Sequence, residues 1–306
     1  MNIKSILRSI RLLTLLIGNM MMAGCSNSDK PAYLEPHLIT TEATHITRTE
    51  ATLNGSATIE GETEMPKLLF RYGTSESMDL NTSEVHAQGA DVSLVLTGLK
   101  AGTTYYYMLQ GNNGRTTTTS NMMSFTTLPN MSPKLTSATL LSHGPMSAFV
   151  SYEITDDGGE PMTETGCYVY LTGEPENKQK CIVENFDGKE GKIKLRIGNL
   201  ERNAHYEFQP FARNTVGETI GTAIKYDTSD AITLNETGEL TQLMGNHLYD
   251  YTQLTIAGTL NGEDLSCLRL MMGRDNNNAS TPGKLSDIDL TDVHLAAGGM
   301  VGPYHH

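Results

Sequence analysis

The chain says one thing twice. Leu96-Thr97-Gly98-Leu99-Lys100-Ala101-Gly102-Thr103-Thr104-Tyr105-Tyr106-Tyr107 returns without a gap, 101 residues later, as Ile197-Gly198-Asn199-Leu200-Glu201-Arg202-Asn203-Ala204-His205-Tyr206-Glu207-Phe208. The echo continues downstream, with Asn113 falling on Asn214, Phe125 on Tyr226 and Thr127 on Thr228. Apolar residues alternate before the motif (Val92, Leu94, Leu96; Ile193, Leu195, Ile197) and after it (Tyr105, Tyr107; Tyr206, Phe208). A period of two marks strands with one buried and one wet face, so each copy reads as strand, polar turn, strand. Two copies in one register predict two modules of the same fold.

In each copy a leucine, Leu99 or Leu200, precedes by six residues a tyrosine, Tyr105 or Tyr206, that opens a strand. Such a tyrosine buries its ring in the core and turns its hydroxyl back to the turn backbone, the tyrosine corner of immunoglobulin-like sandwiches. One copy alone would read as an ordinary strand tyrosine; the repetition favours the sandwich. The absence of Trp and the 29 glycines suit turn-rich β structure. A formal net charge of −13, with no basic cluster beyond the extreme N-terminus, argues against nucleic acid as a partner.

Residues 1–25 have the pattern of a targeting segment: Lys4, Arg8 and Arg11, then an apolar core from Leu12 to Ile17, then Met22-Ala23-Gly24-Cys25. The last four residues resemble a bacterial lipobox. The resemblance implies cleavage before Cys25, acylation of Cys25 and a lipid anchor; a plain secretory signal with an incidental cysteine is the alternative. A transmembrane helix is excluded, since about 20 apolar residues are required and Gly18 and Asn19 break a shorter run. Ser26, rather than Asp, after the lipidated cysteine implies sorting to the outer membrane or the cell surface. Residues 26–35 then read as a polar tether.

The first module is placed at 36–128, with strands expected at 51–59, 67–73, 92–97, 105–110 and 122–127. Leu53-x-Gly55, Arg71-Tyr72-Gly73-Thr74-Ser75, the Leu96–Tyr106 motif and Ser124-Phe125-Thr126-Thr127 together resemble fibronectin type III domains of Bacteroidetes surface proteins. The missing strand-B Trp is a departure; Leu53 is expected to fill its place. Integrin-type recognition is not carried over, for Gly273-Arg274-Asp275 is not Arg-Gly-Asp. Pro129 and Pro133 bracket a stiff linker, and the second module follows at 132–229.

In the second module Cys167 and Cys181 lie symmetrically about Glu174, within the turn-like Thr172-Gly173-Glu174-Pro175. Folded as a hairpin they face each other, and a disulfide is one reading. The other is an unpaired strand cysteine, as in similar modules of the family. Asp156-Asp157-Gly158-Gly159 reads as a turn in preference to a calcium site. No Cys-x-x-Cys occurs, so no zinc or other metal site is expected.

Residues 231–306 differ. Leu254-x-Ile256-x-Gly258 predicts a strand, and Asn261 the cap of a helix carrying Leu265, Leu268, Met271 and Met272 on one face, stopped at Gly273. Cys267 on that helix reads as a small buried hydrophobe. Leu285-x2-Ile288-x-Leu290-x2-Val293-x-Leu295 has leucine-rich-repeat spacing, with Leu285, Ile288 and Leu290 expected to point into a core. The stretch resembles the entry to the leucine-rich-repeat region of Bacteroidetes surface proteins. A solenoid needs at least three repeats, so an incomplete segment or a cap-like remnant is expected, with an irregular α+β appendage as the alternative. The fold class is therefore all-β: two tandem immunoglobulin-like sandwiches plus a small α/β leucine-rich-repeat-like C-terminal segment.

No motif of nucleophilic, metal-hydrolytic or phosphate-binding chemistry is present. Asp287 and Asp289 alternate on one strand face and read as solvated rather than as a glycosidase pair. No enzyme activity and no cofactor are expected. The leading reading is a lipid-anchored envelope protein whose sandwiches act as spacer and whose C-terminal segment binds a protein or glycan. Alternatives are a glycan-capture lipoprotein using Tyr33, Tyr106 or Tyr168 as platforms, and a remnant of a larger surface protein or enzyme.

Overall fold

The computed structural model describes residues 35–60 and 64–299. The expected signal segment with Cys25, most of the tether with Tyr33, and the terminal His305-His306 lie outside the described residues. No helix among the described residues is long and apolar enough to cross a membrane. The chain divides into two units, Met1–Pro129 and Asn130–His306.

The first unit is a β-sandwich. One sheet has the order β1 (His37–Thr44), β2 (Ala51–Thr58), β5 (Asp91–Leu96). The other runs β4 (Leu80–Asn81), β3 (Lys67–Gly73), β6 (Thr104–Asn112), and β6 also pairs β7 (Thr117–Thr119) and β8 (Met123–Thr126) along its far side. All pairings are antiparallel. Alternate residues of β2, β3, β5 and β6 fill the space between the sheets: Leu53, Phe70, Val92, Tyr107 and Leu109. Leu53 is 0 % exposed, so a leucine does occupy the core position from strand β2. Each such side chain contributes about 1.5–3 kcal/mol by leaving water.

The second unit repeats the plan and then extends it. Its first sheet places β14 (Gly191–Ile197) beside β11 (Ser147–Asp156) and β10 (Thr139–Gly144), with the short β9 (Lys134–Leu135) also on β11. Its second joins β13 (Gln179–Ile182), β12 (Met162–Leu171) and β15 (His205–Asn214), flanked by β16 (Glu218–Ile220) and β17 (Ile224–Asp227). Val150, Tyr152, Ile154, Cys167, Leu195, Ile197, Phe208 and Ala212 form the core between them.

The first of these sheets does not stop at β10. His143 bridges to Thr233 of β18 (Ala231–Leu234), and from there the sheet continues in parallel through β19 (Gln253–Leu260) to β20 (Asp287–Leu295). Parallel neighbours need crossovers, and here the crossovers carry helices: α1 (Leu240–Met244) and α2 (Gly262–Met271). Both pack over one face of the sheet with Ile232, Leu234, Leu254, Ile256 and Leu260. Phe149, on the outward face of β11, is 4 % exposed because it belongs to this second core.

Helix α2 begins at a reciprocal capping box: Asn261 accepts from the Glu263 and Asp264 amides, while Asp264 accepts from the Asn261 amide. Gly273, at φ +92°, ends it in the left-handed region. The apolar stripe is narrower than its spacing suggests. Met272 is 55 % exposed, because it lies beyond the last helical turn. On β20 the expected inward set also needs correction. Leu285 is buried and Ile288 and Val293 pack partly against the core, but Leu290 is 38 % exposed. The ladder slips between Thr255 and Ala257, so the register that would turn Leu290 inward is lost at that irregularity.

Candidate binding face

Both tyrosine corners have the same local geometry. The Tyr105 hydroxyl accepts from the Lys100 amide at 2.9 Å, and the Tyr206 hydroxyl from the Glu201 amide at 3.0 Å. Leu99 and Leu200 are buried beneath the turns. The downstream echoes prove to be turn clamps. Thr127 accepts from the Thr103 amide and donates to the Lys100 carbonyl, as Thr228 does with Ala204 and Glu201. Asn113 and Asn214 each accept two amides of the following turn. All these residues hold the modules together.

The surface with chemistry to offer lies on the open side of the parallel strands. Apolar side chains of β18 and β19 point down onto the helices, so the alternate residues point up: Ala231 and Thr233, then Gln253, Thr255, Ala257 and Thr259. Opposite them in register on β20 stand Asp287, Asp289, Asp292 and His294, facing Gln253, Thr255, Ala257 and Thr259 respectively. The face is flat, polar and acidic along its outer strand. Asp289 accepts from the Thr291 hydroxyl at 2.6 Å and from its amide at 2.9 Å, and these bonds hold its carboxyl below the usual carboxylate range. At the foot of the face a notch of 230 Å³ is lined by Arg202, Asp230, Asp250, Tyr251, Thr252 and Gln253. There the Arg202 guanidinium stacks 4.7 Å from the Tyr251 ring centroid and pairs with Asp230 at 3.8 Å. Asp287 and Asp289 are both exposed on this open strand face.

Other predicted positions fall elsewhere. Tyr106 is half-buried on β6, and Tyr168 is no open platform: its ring tilts against Phe211 at 4.8 Å, and Lys178 and Lys180 lie over it. Asp156 and Asp157 gather with Glu190, their carboxylate oxygens within 4.8 Å of one another. Yet Asp156 accepts from the Gly158 amide and pairs with Lys134, Asp157 accepts from the Gly159 amide, and Glu190 from the Asp157 amide. That is the bonding of a turn. Cys267 is buried in the C-terminal core and burial raises its thiol to about 11. Cys167 and Cys181 are direct cross-strand partners and both are free thiols. Cys181 opens on a groove of 450 Å³ between the β12–β13 hairpin and β14.

The face was only half visible in the sequence. The β20 pattern announced its outer strand and the solvated pair Asp287 and Asp289, but not Asp292, and β18 carries only four residues and α1 five, too few for a periodic signal.

No family profile and no curated protein matches this chain. Solved structures similar to it include a two-domain fibronectin type III segment of chicken tenascin, at 18 % identity and TM-score 0.32, covering 62 % of this chain and 99 % of that one. The sensor domain of the anti-sigma factor RsgI4 of Pseudobacteroides cellulosolvens aligns at 22 % identity and TM-score 0.26, over 32 % of this chain and 98 % of that one. The FN1–FN3 domains of chicken CNTN1 align at 14 % and 0.27, over 63 % and 68 %. The sandwich assignment itself stands on the strand order and the two antiparallel cores described above.

Proposed function

We propose that this chain is a non-enzymatic, lipid-anchored envelope protein whose sandwiches carry a C-terminal binding face of leucine-rich-repeat type. The observation that supports this most is the three-strand parallel sheet β18–β19–β20 with helices in its crossovers. It buries its apolar residues on one side and leaves a continuous polar face on the other. Stacked strand-and-helix units of this kind build solenoids, whose strand face binds partners. Among the described residues the two sandwiches offer cores and turn clamps, which suit a spacer. Protein and glycan ligands both remain compatible with a face of amide, hydroxyl and carboxylate groups.

The anchor is tested by Cys25→Ala in cells. The variant is expected in the soluble fraction, because each buried methylene of a lipid chain contributes about 0.8 kcal/mol and the variant has none. Membrane partitioning equal to that of the unaltered chain would refute the lipid anchor. The face is tested with Asp287→Lys/Asp289→Lys, a surface double change that leaves both cores intact. Loss of a partner captured by the unaltered protein, with an unchanged unfolding midpoint, is the supporting result. Retained binding moves the site to the sandwiches.

A further inference from the structure

Two thiols in the second unit stand apart from everything above. Cys167 on β12 and Cys181 on β13 occupy the same rung of an antiparallel ladder, so their side chains emerge on the same face of the sheet. The rung can be typed. Two pairs further along, the Val183 amide donates to the Thr165 carbonyl at 2.9 Å, which marks a hydrogen-bonded pair. Such pairs alternate with open ones, so Cys167 and Cys181 form a hydrogen-bonded pair as well. Its Cα–Cα spacing is about 5.5 Å, within the Cα range that a disulfide spans, and bonding requires the two Cβ atoms to draw in from about 5.5 Å to about 4 Å as edge strand β13 shifts toward β12.

We infer that Cys167 and Cys181 form an oxidisable cross-strand pair, with Cys181 the thiol that a soluble disulfide reaches first. Their surroundings divide the labour. Cys167 is 0 % exposed, packed among the sandwich core, and burial pushes its thiol up to about 12. Cys181 is half-buried and lines the groove beside β14. Burial raises its thiol too, but the Arg196 guanidinium across the groove opposes that rise. Its sulfur is held only by a weak hydrogen bond to the Arg196 carbonyl at 3.6 Å, so reorientation toward Cys167 breaks little.

The chemistry is thiol–disulfide exchange with a small-molecule disulfide such as oxidised glutathione. The Cys181 thiolate attacks one sulfur of the oxidant, forming a mixed disulfide and releasing one glutathione thiolate. Cys167 then attacks the Cys181 sulfur, giving up its proton to the second departing thiolate. The protein loses two hydrogens and two electrons, and the oxidant becomes two thiols. The new bond closes the hairpin through Thr172 and Pro175 and ties edge strand β13 to β12. This inference rests on the hairpin geometry and is independent of the envelope placement.

The test uses the full chain, incubated with oxidised glutathione, alkylated and mapped by peptide mass spectrometry. A single linked pair joining the Cys167 and Cys181 peptides is expected, reversed by dithiothreitol. The unfolding midpoint of the oxidised form should rise by roughly 5–10 °C, from closure of a short loop in a unit of this size. In Cys181→Ser, the buried Cys167 should resist both oxidant and alkylation. Glutathione left on Cys181 with no linked pair, both thiols unchanged, or a linked pair with a lowered midpoint would each overturn the inference.

Discussion

Asp264→Ala is expected to destabilise the second unit by about 3–5 kcal/mol. Asp264 is 1 % exposed and acts as a hub rather than as a simple cap. One oxygen accepts from the Gly238 amide at 2.7 Å and from Asn261 at 3.0 Å; the other accepts from the Leu240 amide at 3.0 Å. It thus fixes the start of α1 and the start of α2 with a single side chain. Alanine leaves three donors without a partner, two of them at helix starts where no backbone acceptor is available. The cost of each buried orphan is about 1–3 kcal/mol, and water entering the vacated space relieves part of the sum. Asp264→Asn keeps one good acceptor and should lose less. Denaturant unfolding followed by hydrogen exchange across residues 231–272 reads both. A change below about 1 kcal/mol in the alanine variant would show that these bonds contribute little.

Gly258→Ala is the second large effect, at about 3–4 kcal/mol. Gly258 lies inside β19 at φ +101°, a conformation that other residues avoid, and an added Cβ would sit 2.0 Å from the Leu234 carbonyl oxygen on β18. Relief requires β18 and β19 to separate, which tears the parallel sheet from the sandwich. Limited proteolysis should therefore cut first within 231–299, while Tyr206 and its turn stay protected. Uniform loss of structure through the whole second unit would instead mean that the two cores unfold as one.

The parts that the sequence made legible are those with period-two signals and turn residues in repeated order. The Leu96–Tyr107 motif and its echo fall on the β5–β6 and β14–β15 corners. The polar edge strand β1 was not expected, since only Leu38 and Thr40 of its eight residues are fully buried. At the C-terminus, Asn261 and Gly273 marked the ends of α2 because capping chemistry is local. The inward direction of Leu290 was misread because it depends on a ladder slip set by β19. Ser147, Arg196 and Lys194 gave no hint that they would hold α1, yet Ser147 donates to the Leu243 carbonyl, Arg196 to that of Gln242, and Lys194 meets Glu239. Those contacts join stretches 45 to 96 residues apart, which no window along the chain can see.

The uninterrupted passage from β14 through β10 into β20 makes the second sandwich a poor candidate for life alone. A fragment ending at Ser229 would bare the Phe149 ring and strip β10 of its outer neighbour, leaving a greasy patch beside a vacant hydrogen-bonding rim. Such a piece would be expected to precipitate or to pair with itself. The tail is thus also the lid that keeps its own support soluble.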